Sequence, residues 1–460
     1  MKSFKIKKFN KTKKISKSIH KKINGRILEK NKQGWKTLEV FGEPFEMGYA
    51  HGYLLSGELR EIKKMFPFVI KNDLKVSFSQ YLEKSNILIK PILKTKYPDL
   101  YEEIRGISQG AKQKGLDISI DFLISWNAYM SLYTIFEKDS IETKTNSIKD
   151  ERKQRCSAFI ATGNATNDGE IVMAHNTHCH FYEGRFMNII MYLKPSKGVP
   201  FTMQMSAGFI ASVTDWFLSE SGIIGCETTI AYTNYKPSFG IPFFCRIREA
   251  MQYGETLDQY VDIMLKDNAG DYACSWLFGN VHTNEIMLFD LGLENYNVQR
   301  TKNGIYYGMN STLDWKIRNL ETNDNAIFDP AKATGSRNLR IHQLLNEEYF
   351  GKINTENAKR IISDHYDMHL QKNQMNGRSI CKHIEQYPPV EGTIIIPVGA
   401  TDGKVINSKM AKKMGFLGRF GSSCGRCFNK NEFLKKNPEY EKWRPFLTDF
   451  PKTEWTRLGF

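Results

Sequence analysis

The spacing of apolar residues changes between residues 137 and 156, and this change constrains the fold more than any other feature of the chain. Upstream, EMGYAHGYLLSGELREI and DFLISWNAYMSLY have the apolar spacing of helices. Downstream, CSAFIATGNA and EIVMAHNTH are typical of strands, and Thr166-Asn167-Asp168-Gly169 between them predicts a tight hairpin with positive φ angles. The chain is therefore predicted to pass from a helical part into an antiparallel sheet.

Further strands and helices are predicted after this hairpin. The strand segments are MNIIMYLKP, PFTMQMSAG, IIGCETTIA, SWLFGNV, EIMLFDLG and GIYYGMN. The helical segments are PFFCRIREAMQY, TLDQYVDIMLK and SRNLRIHQLLNEEYF. Because strands cluster in the middle of the chain and helices lie on both sides of them, we expect an α+β protein with antiparallel sheets between helical layers.

The composition predicts four segments. Residues 1–33 form a basic disordered leader, and 34–136 form a helical amino-terminal segment that belongs to the main fold. Residues 137–155 are almost entirely polar and predict a flexible linker, after which 156–460 complete the fold. With 41% hydrophobic residues, the 460-residue chain can bury a sizeable core. Because no run of roughly 18 apolar residues occurs, the sequence predicts no transmembrane helix.

Most of the positive charge lies in the leader. Residues 1–26 carry +11 of the formal +15, which leaves +4 for the rest of the chain. A block of like charge predicts a solvated tail, with contact to an anionic membrane surface as the alternative function. Nucleic acid is a less favoured partner, since the folded part has little excess charge. No continuous apolar stretch marks a signal peptide, and the sequence assigns neither a compartment nor an oligomeric state.

The cysteine pattern gives little support to a disulfide framework or a metal site. Eight cysteines are too few for a disulfide-rich scaffold, and the Cys424-x-x-Cys427 pair lacks a second pair or matching histidines. A local disulfide or simple burial is the favoured interpretation. HNTHCH also offers metal ligands, but successive strand residues point to opposite faces, so His175 and Cys179 oppose His178 and His180. We therefore predict neither metal nor cofactor.

A serine nucleophile is also disfavoured. The segment from Gly421 to Gly425 satisfies the GxSxG pattern of a nucleophile elbow. Such a site needs an acid and then a histidine later in the chain, whereas the last histidine is His383. The pattern is therefore interpreted as a glycine- and serine-rich turn.

Cys156 is the strongest candidate nucleophile, because it begins the first strand after the linker. If the bond between Arg155 and Cys156 is cut, one residue presents both a thiol and an α-amine. A free α-amine has a pKa of about 7.7–8.0 and can accept the thiol proton near neutral pH. Such a site also needs donors for an oxyanion and a polar residue beside the amine. The alternative is that Cys156 is a small buried apolar residue.

The chain resembles the phospholipase B-like proteins, relatives of the penicillin acyltransferases among the N-terminal nucleophile (Ntn) hydrolases. The resemblance spans roughly residues 34–457. The motifs occur in the expected order: HGYLLSGE, CSAFIATGNATNDGEIVMAHNT, SGIIGCETTI, YYGMNSTLDWKIRN, FDPAKATGSRNLR, ISDHYDMHL, GRSICKH, GKVINSKMAKKMGFLGRFGSSCGRCF and NPEYEKWRPFLTDFPKTEW. The resemblance implies an αββα sandwich and self-cleavage immediately before the cysteine.

The resemblance also implies a set of site residues. The catalytic residues would be Cys156 as nucleophile, His175 beside it, Asn310 as an oxyanion donor and Arg337 in the pocket. Substrate-binding residues would be Asn176, Thr177, His178, Thr228 and Thr229. One departure is that His178 stands where the family usually has tryptophan.

Three of these residues also have structural interpretations. His175 could simply donate a hydrogen bond to a backbone carbonyl, and Asn310 suits a turn. Arg337 could be a structural cation near a helix start, where it would require a partner carboxylate.

The expected function is removal of fatty acyl chains from phospholipids through a thioester on Cys156. An amidase or acyltransferase acting on N-acyl amides or short peptides is the enzymatic alternative. The non-enzymatic alternative is a lipid-binding module with an inactive Ntn fold.

Overall fold

Strands from widely separated parts of the chain form the centre of the protein, here described from a computed structural model. The structure describes residues 23–139, 156–212, 216–234, 239–324, 326–387 and 395–459. The strands are β1 (Gly25–Lys32), β2 (Trp35–Gly42), β3 (Cys156–Gly163), β4 (Gly169–His180), β5 (Ile189–Pro195), β6 (Phe201–Met205), β7 (Trp216–Ser219), β8 (Ile223–Thr229), β9 (Cys274–Asn280), β10 (Glu285–Leu291), β11 (Tyr296–Thr301), β12 (Gly304–Gly308), β13 (Tyr366–Asp367), β14 (Lys372–Asn373), β15 (Val398–Ala400), β16 (Asp402–Asn407), β17 (Gly415–Phe420) and β18 (Thr456–Gly459).

Helices precede, interrupt and follow these strands. They are α1 (Pro44–Leu54), α2 (Ser56–Val69), α3 (Phe78–Leu88), α4 (Lys90–Lys96), α5 (Pro98–Gln113), α6 (Ile120–Asn127), α7 (Tyr129–Asp139), α8 (Phe181–Gly184), α9 (Phe243–Tyr253), α10 (Leu257–Leu265), α11 (Trp315–Glu321), α12 (Ala333–Gln343), α13 (Thr355–Ile361), α14 (Ser408–Ala411) and α15 (Lys430–Lys436). Side chains cap several of them. Ser77 and Thr256, for example, accept the backbone N–H three residues later and so satisfy a donor at the starts of α3 and α10.

The described strands form two main sheets. The large sheet has the order β1-β2-β5-β6-β7-β8-β9-β10-β11, and the small sheet has the order β12-β3-β4-β16-β17-β18, with β15 also pairing with β4. Adjacent described strands are antiparallel except β2 and β5, which run parallel. The expectation of purely antiparallel sheets is therefore wrong at that pair. A parallel pair needs a long crossover, and here the helical segment and the first hairpin lie between the two strands.

The alternation of residues along β3 separates two apolar cores. Ala158 and Ile160 lie in the larger core, with residues of the large sheet. Phe159 and Ala161 lie in a second core, which includes Ile341 of α12. Strand β3 contacts β8 and β9 of the large sheet. Helix α13 contacts β4 and β16 of the small sheet. Helices α1 and α10 contact the large sheet, so the predicted mixture of helices and sheets is confirmed.

The hairpin between β3 and β4 differs from the prediction. Residues 164–168 connect the strands, and Thr166 forms a bridge with Ile353. Within the predicted turn the positive φ angle is confirmed only at Gly169, at 76°, and the other positive φ angle belongs to Gly163, at 63°. The predicted tight turn is therefore wrong, because a contact with a distant segment widens the connection.

Helices α1 and α5 pack with unusually close backbones. A Cβ atom on Gly52 would lie 2.0 Å from the carbonyl oxygen of Ile107, and one on Gly110 would lie 2.1 Å from that of Tyr49. Gly48 and Gly106 face the opposite helix in the same way. These four glycines allow the two helices to approach where larger side chains would collide.

The predicted segment boundaries also change. The leader was expected to be disordered to residue 33, but Gly25–Lys32 pairs with β2 as an edge strand. The 34–136 segment contains β2 followed by helices. Helix α7 continues to Asp139, and the rest of the predicted linker lies outside the described residues. Within the described part of the chain, helices are too short or too polar to cross a membrane.

Candidate active site

Cys156 is the first residue of β3 and is 2% exposed. It pairs with Thr177 of β4, and Ala158 pairs with His175. Directly opposed residues of an antiparallel pair project from the same face, so these side chains share one face of the small sheet. Because Ala158 packs in the larger core, this face is directed toward the large sheet.

Polar groups converge on the backbone of Cys156. Its N–H donates to Oδ1 of Asn310 at 3.3 Å, and its carbonyl oxygen accepts from Nη1 of Arg337 at 2.8 Å. Nη2 of Arg337 also donates to Oδ1 of Asn310 at 3.0 Å. Nδ2 of Asn310 donates to the carbonyl oxygen of Thr229 at 3.0 Å. Since two donors meet one atom of the carboxamide, that atom must be the oxygen.

Asn310 reaches this position from an unusual backbone conformation. It follows β12 with a φ of 62°, in the left-handed region that asparagine tolerates better than most residues. The sequence offered a turn residue and a pocket residue as alternatives, and the positive φ angle agrees with the first of them. Its oxygen faces Cys156, while one of its donor hydrogens is used by the neighbouring strand.

Arg337 is fully buried on α12. In addition to its bonds to Cys156 and Asn310, Nη1 donates to Oγ of Ser157 at 3.1 Å and Nε donates to the carbonyl of Ala333 at 3.2 Å. The guanidinium thus contacts several uncharged oxygens. Its charge lies beside the candidate nucleophile, where it can stabilise negative charge during a reaction.

His175 donates to the backbone, as one of the two sequence interpretations proposed. Its Nε2 lies 3.0 Å from the carbonyl oxygen of Glu227, and a carbonyl can only accept. Burial holds the pKa of His175 well below its ordinary value, and the nearby Lys404 lowers it further. His175 is therefore a neutral ring. Its Nδ1 is buried without a hydrogen-bond partner among the described residues.

Asn176 lies on the other face of β4 from Cys156. Its Oδ1 accepts from the N–H of Ser157 at 3.1 Å, and its Nδ2 donates to the carbonyl of Ile362 at 2.8 Å. Nδ2 also lies 3.3 Å from Oγ of Ser423. The structure thus gives this predicted substrate-binding residue an anchoring position behind the nucleophile.

His178 has two ring nitrogens that are buried without hydrogen-bond partners among the described residues. Burial lowers its pKa well below the ordinary value, and the charges of Arg337 and Lys382 lower it further. Buried polar groups are normally hydrogen-bonded in folded proteins. The unsatisfied ring therefore marks a place where a ligand or water could bind.

Thr228 and Thr229 end β8 close to this network. Oγ1 of Thr229 lies 2.5 Å from the hydroxyl of Tyr272, which donates to Glu227 at 2.9 Å. Oγ1 of Thr228 is buried and has no hydrogen-bond partner among the described residues. A Cβ on Gly308 would lie 2.2 Å from this hydroxyl oxygen, so glycine allows β12 to approach β8 here.

The structure adds three residues that the sequence analysis missed. Lys404 of β16 pairs in register with His175, and its Nζ donates to Oγ1 of Thr177 at 2.9 Å. Nζ also forms a fully buried ion pair with Asp402 at 2.9 Å, and Gln204 donates to Asp402 at 2.8 Å. No local signal in GKVINSKM distinguishes this lysine from an exposed one.

The predicted cleavage residue Arg155 lies outside the described residues. Among the described residues, the possible metal ligands of HNTHCH do not form a cluster. The possible ligand atoms that do converge belong to His365, Cys381, His383 and Cys424. A local disulfide or simple burial was expected at the CxxC pair. None of the cysteines forms a disulfide among the described residues, and Cys427 is exposed, so neither interpretation holds for that residue.

Comparisons with known proteins show distant relatives. No protein-family profile matches the chain. An uncharacterised protein of Archaeoglobus fulgidus is 24% identical over 275 residues, which cover 58% of this chain and 44% of that relative. In Dictyostelium discoideum, protein dcd1B is 22% identical, covering 48% of this chain and 43% of its own length. Protein dcd1A is 23% identical, and the match covers 53% of this chain and 54% of that relative. The chain thus spans about half the length of these relatives, and their names state no activity.

Proposed function

We propose that this chain is an Ntn acyl hydrolase with an αββα sandwich, and that Cys156 becomes its nucleophile when the Arg155–Cys156 bond is cut. The observation that carries the proposal is the hydrogen bond from the Cys156 N–H to Asn310. After cleavage this nitrogen would be the α-amine, already beside a carboxamide oxygen. Arg337 donates to the carbonyl oxygen of Cys156 and to Oδ1 of Asn310, so the backbone of Cys156 is held at both its nitrogen and its carbonyl.

Self-cleavage would proceed as an N-to-S acyl shift. The thiol of Cys156 adds to the carbonyl carbon of Arg155, its proton passes to the amide nitrogen, and the C–N bond breaks. The product is a thioester with a free α-amine on Cys156. Water then adds to the thioester carbon and the C–S bond breaks, which leaves a carboxylate on Arg155 and restores the thiol.

Turnover would use the same thiol with the new amine as base. The amine accepts the thiol proton, and the thiolate attacks the substrate carbonyl. The leaving alcohol or amine takes the proton, and water then opens the acyl thioester with the amine again acting as base. Arg337 would stabilise developing negative charge. Asn310 would hold the amine through its Oδ1. As an oxyanion donor it would use the second hydrogen of Nδ2, because the first is donated to the carbonyl oxygen of Thr229.

The favoured substrate is a fatty acyl ester of a phospholipid, as the resemblance to the phospholipase B-like proteins implies. Contact of residues 1–26 with an anionic membrane would bring the enzyme to such a substrate, although residues 1–22 lie outside the described part of the chain. The unsatisfied hydroxyl of Thr228 and ring of His178 supply polar groups for a ligand. N-acyl amides remain the alternative substrate, and lipid binding without turnover remains the non-enzymatic one.

Release of free fatty acid tests the activity. The cleaved full chain would be incubated with phosphatidylcholine vesicles, with vesicles containing an anionic phospholipid and with an N-acyl amide, and the acid measured by mass spectrometry. We expect release from phospholipid that is abolished in Cys156→Ala. Release from the amide alone would favour the amidase alternative. Equal release by Cys156→Ala, or binding of vesicles without release of acid from any substrate, would contradict the proposed hydrolase.

A further inference from the structure

A cluster of two histidines and two cysteines lies outside the candidate active site. His365 precedes β13, Cys381 and His383 lie in the segment that follows β14, and Cys424 lies in the turn after β17. One possible ligating atom from each residue lies within 4.8 Å of all the others. Three separate chain segments thus bring four nitrogen and sulfur ligands to one point.

Two of the distances between possible ligand atoms fit a tetrahedral ion. Sγ of Cys381 lies 3.4 Å from Nε2 of His383, and Sγ of Cys424 lies 3.5 Å from the same nitrogen. Zinc bonds of about 2.3 Å to sulfur and 2.0–2.1 Å to nitrogen place tetrahedral ligands about 3.6 Å apart. The two sulfur–nitrogen separations are therefore close to two edges of a zinc tetrahedron.

Groups around the cluster orient its ligands. Nδ1 of His383 lies 2.7 Å from Oε1 of Glu385, which leaves Nε2 directed to the two sulfurs. Such carboxylate–histidine pairs are common in zinc sites, where they fix the ring and its tautomer. Oγ of Ser423 donates to Sγ of Cys381 at 3.1 Å. Nε2 of His365 is buried with no hydrogen-bond partner among the described residues.

We infer that His365, Cys381, His383 and Cys424 bind one zinc ion in a closed structural site. Two thiolates and two imidazoles are a common zinc ligand set, and four protein ligands fill a tetrahedral sphere and leave no position for substrate. Mixed sulfur and nitrogen ligands disfavour Mg²⁺ and Ca²⁺, which prefer oxygen.

A cavity leads to the cluster. Cys424 lines this cavity, which has a volume of about 700 Å³ and gives the ion a path to the four ligands.

The ion would stabilise a part of the chain with little regular structure. Between α13 and β15 the described residues contain two strands of only two residues each. Zinc would join this segment to the turn after β17. Zinc would also stabilise the residues that contact the strands around Cys156. The carbonyl of Ile380, next to Cys381, accepts a hydrogen bond from Ser157 at 3.1 Å. Ser423, next to Cys424, contacts both Asn176 and Cys381.

Metal content of the full chain, purified under reducing conditions, tests this inference. We expect about one zinc per chain, and after exchange with Co²⁺ the visible absorption of a tetrahedral thiolate complex. Cys381→Ser should lose the zinc and the cobalt spectrum. Cys427→Ser is the matched control, since Cys427 completes the CxxC pair but is exposed and outside the cluster, and it should keep both.

A chelator should lower the Tm of the wild type and of Cys427→Ser, but not that of Cys381→Ser. The wild-type cobalt spectrum decides the question even if a variant fails to fold. A wild type that binds no zinc or cobalt, or an intact mass showing a disulfide between Cys381 and Cys424, would overturn the inference. Cys156→Ala should keep its zinc, so the metal test does not depend on the proposed hydrolase.

Discussion

At Asn310, one carboxamide oxygen accepts hydrogen bonds from both Cys156 and Arg337 while the amide nitrogen serves Thr229. The sequence motif could identify the residue but not its orientation. That orientation depends on a carbonyl from β8 and a guanidinium from α12, which the fold brings together across large separations in sequence. The motifs could therefore name Asn310 and Arg337 as candidates, but they could not predict the contacts of these residues.

His51 provides a test of electrostatics at a single residue. Its Nε2 accepts from the backbone N–H of Gly208 at 2.8 Å, so the ring must be neutral at that atom. Burial, aided by the charge of Arg248, lowers the pKa of His51 to about 3. In the unfolded chain the pKa is about 6.5. The folded-state pKa is thus depressed, so His51 disfavours folding as pH falls from about 6.5 toward 3.

We predict that wild-type stability falls through this range with a contribution from His51 approaching 1.4 kcal/mol per pH unit. His51→Gln can still accept from Gly208 but does not titrate, so it should lose about 1 kcal/mol less between roughly pH 7.5 and 5.5. Denaturant unfolding at both pH values measures the difference. His342→Gln, at an exposed position, is the control and should follow the wild type. An identical pH dependence in His51→Gln would contradict the account.

At the scale of elements, the close approach of α1 and α5 depends on glycine. We predict that Gly52→Ala destabilises the protein by roughly 2 kcal/mol or more, because the new methyl group would meet the backbone of Ile107. Gly57→Ala is the matched control on α2, where nothing lies within 4 Å, and it should be neutral or stabilising by up to about 1 kcal/mol. Equal unfolding free energies for the two variants would show that the helices do not pack as described.

Local patterns predicted strands and helices better than their connections. The apolar repeat in CSAFIATG matches β3, and PFFCRIREAMQY contains α9. The turn after β3 was mispredicted because Thr166 pairs with Ile353, far along the chain. Strand β1 was missed because its polar, partly basic sequence resembles the leader, whereas its structure comes from pairing with β2.

At the scale of the whole molecule, the mixed helical and sheet class could be predicted but the strand order could not. The parallel pairing of β2 with β5 depends on contacts between segments more than a hundred residues apart. The histidine–cysteine cluster escaped prediction for the same reason. Its ligands are spread between residues 365 and 424, and only Cys424 belongs to the visible CxxC pair. Lys404 likewise became a site residue only through its pairing with β4.

The most direct test of the central claim is intact mass and amino-terminal sequencing of the purified full chain. We predict that the wild type yields a new amino terminus at Cys156, and that Cys156→Ala stays uncut. Cys245→Ala, which removes another buried cysteine, is the control and should be cut like the wild type. An uncut wild type, or the same new terminus in Cys156→Ala, would contradict the assignment of Cys156 as a self-processing nucleophile.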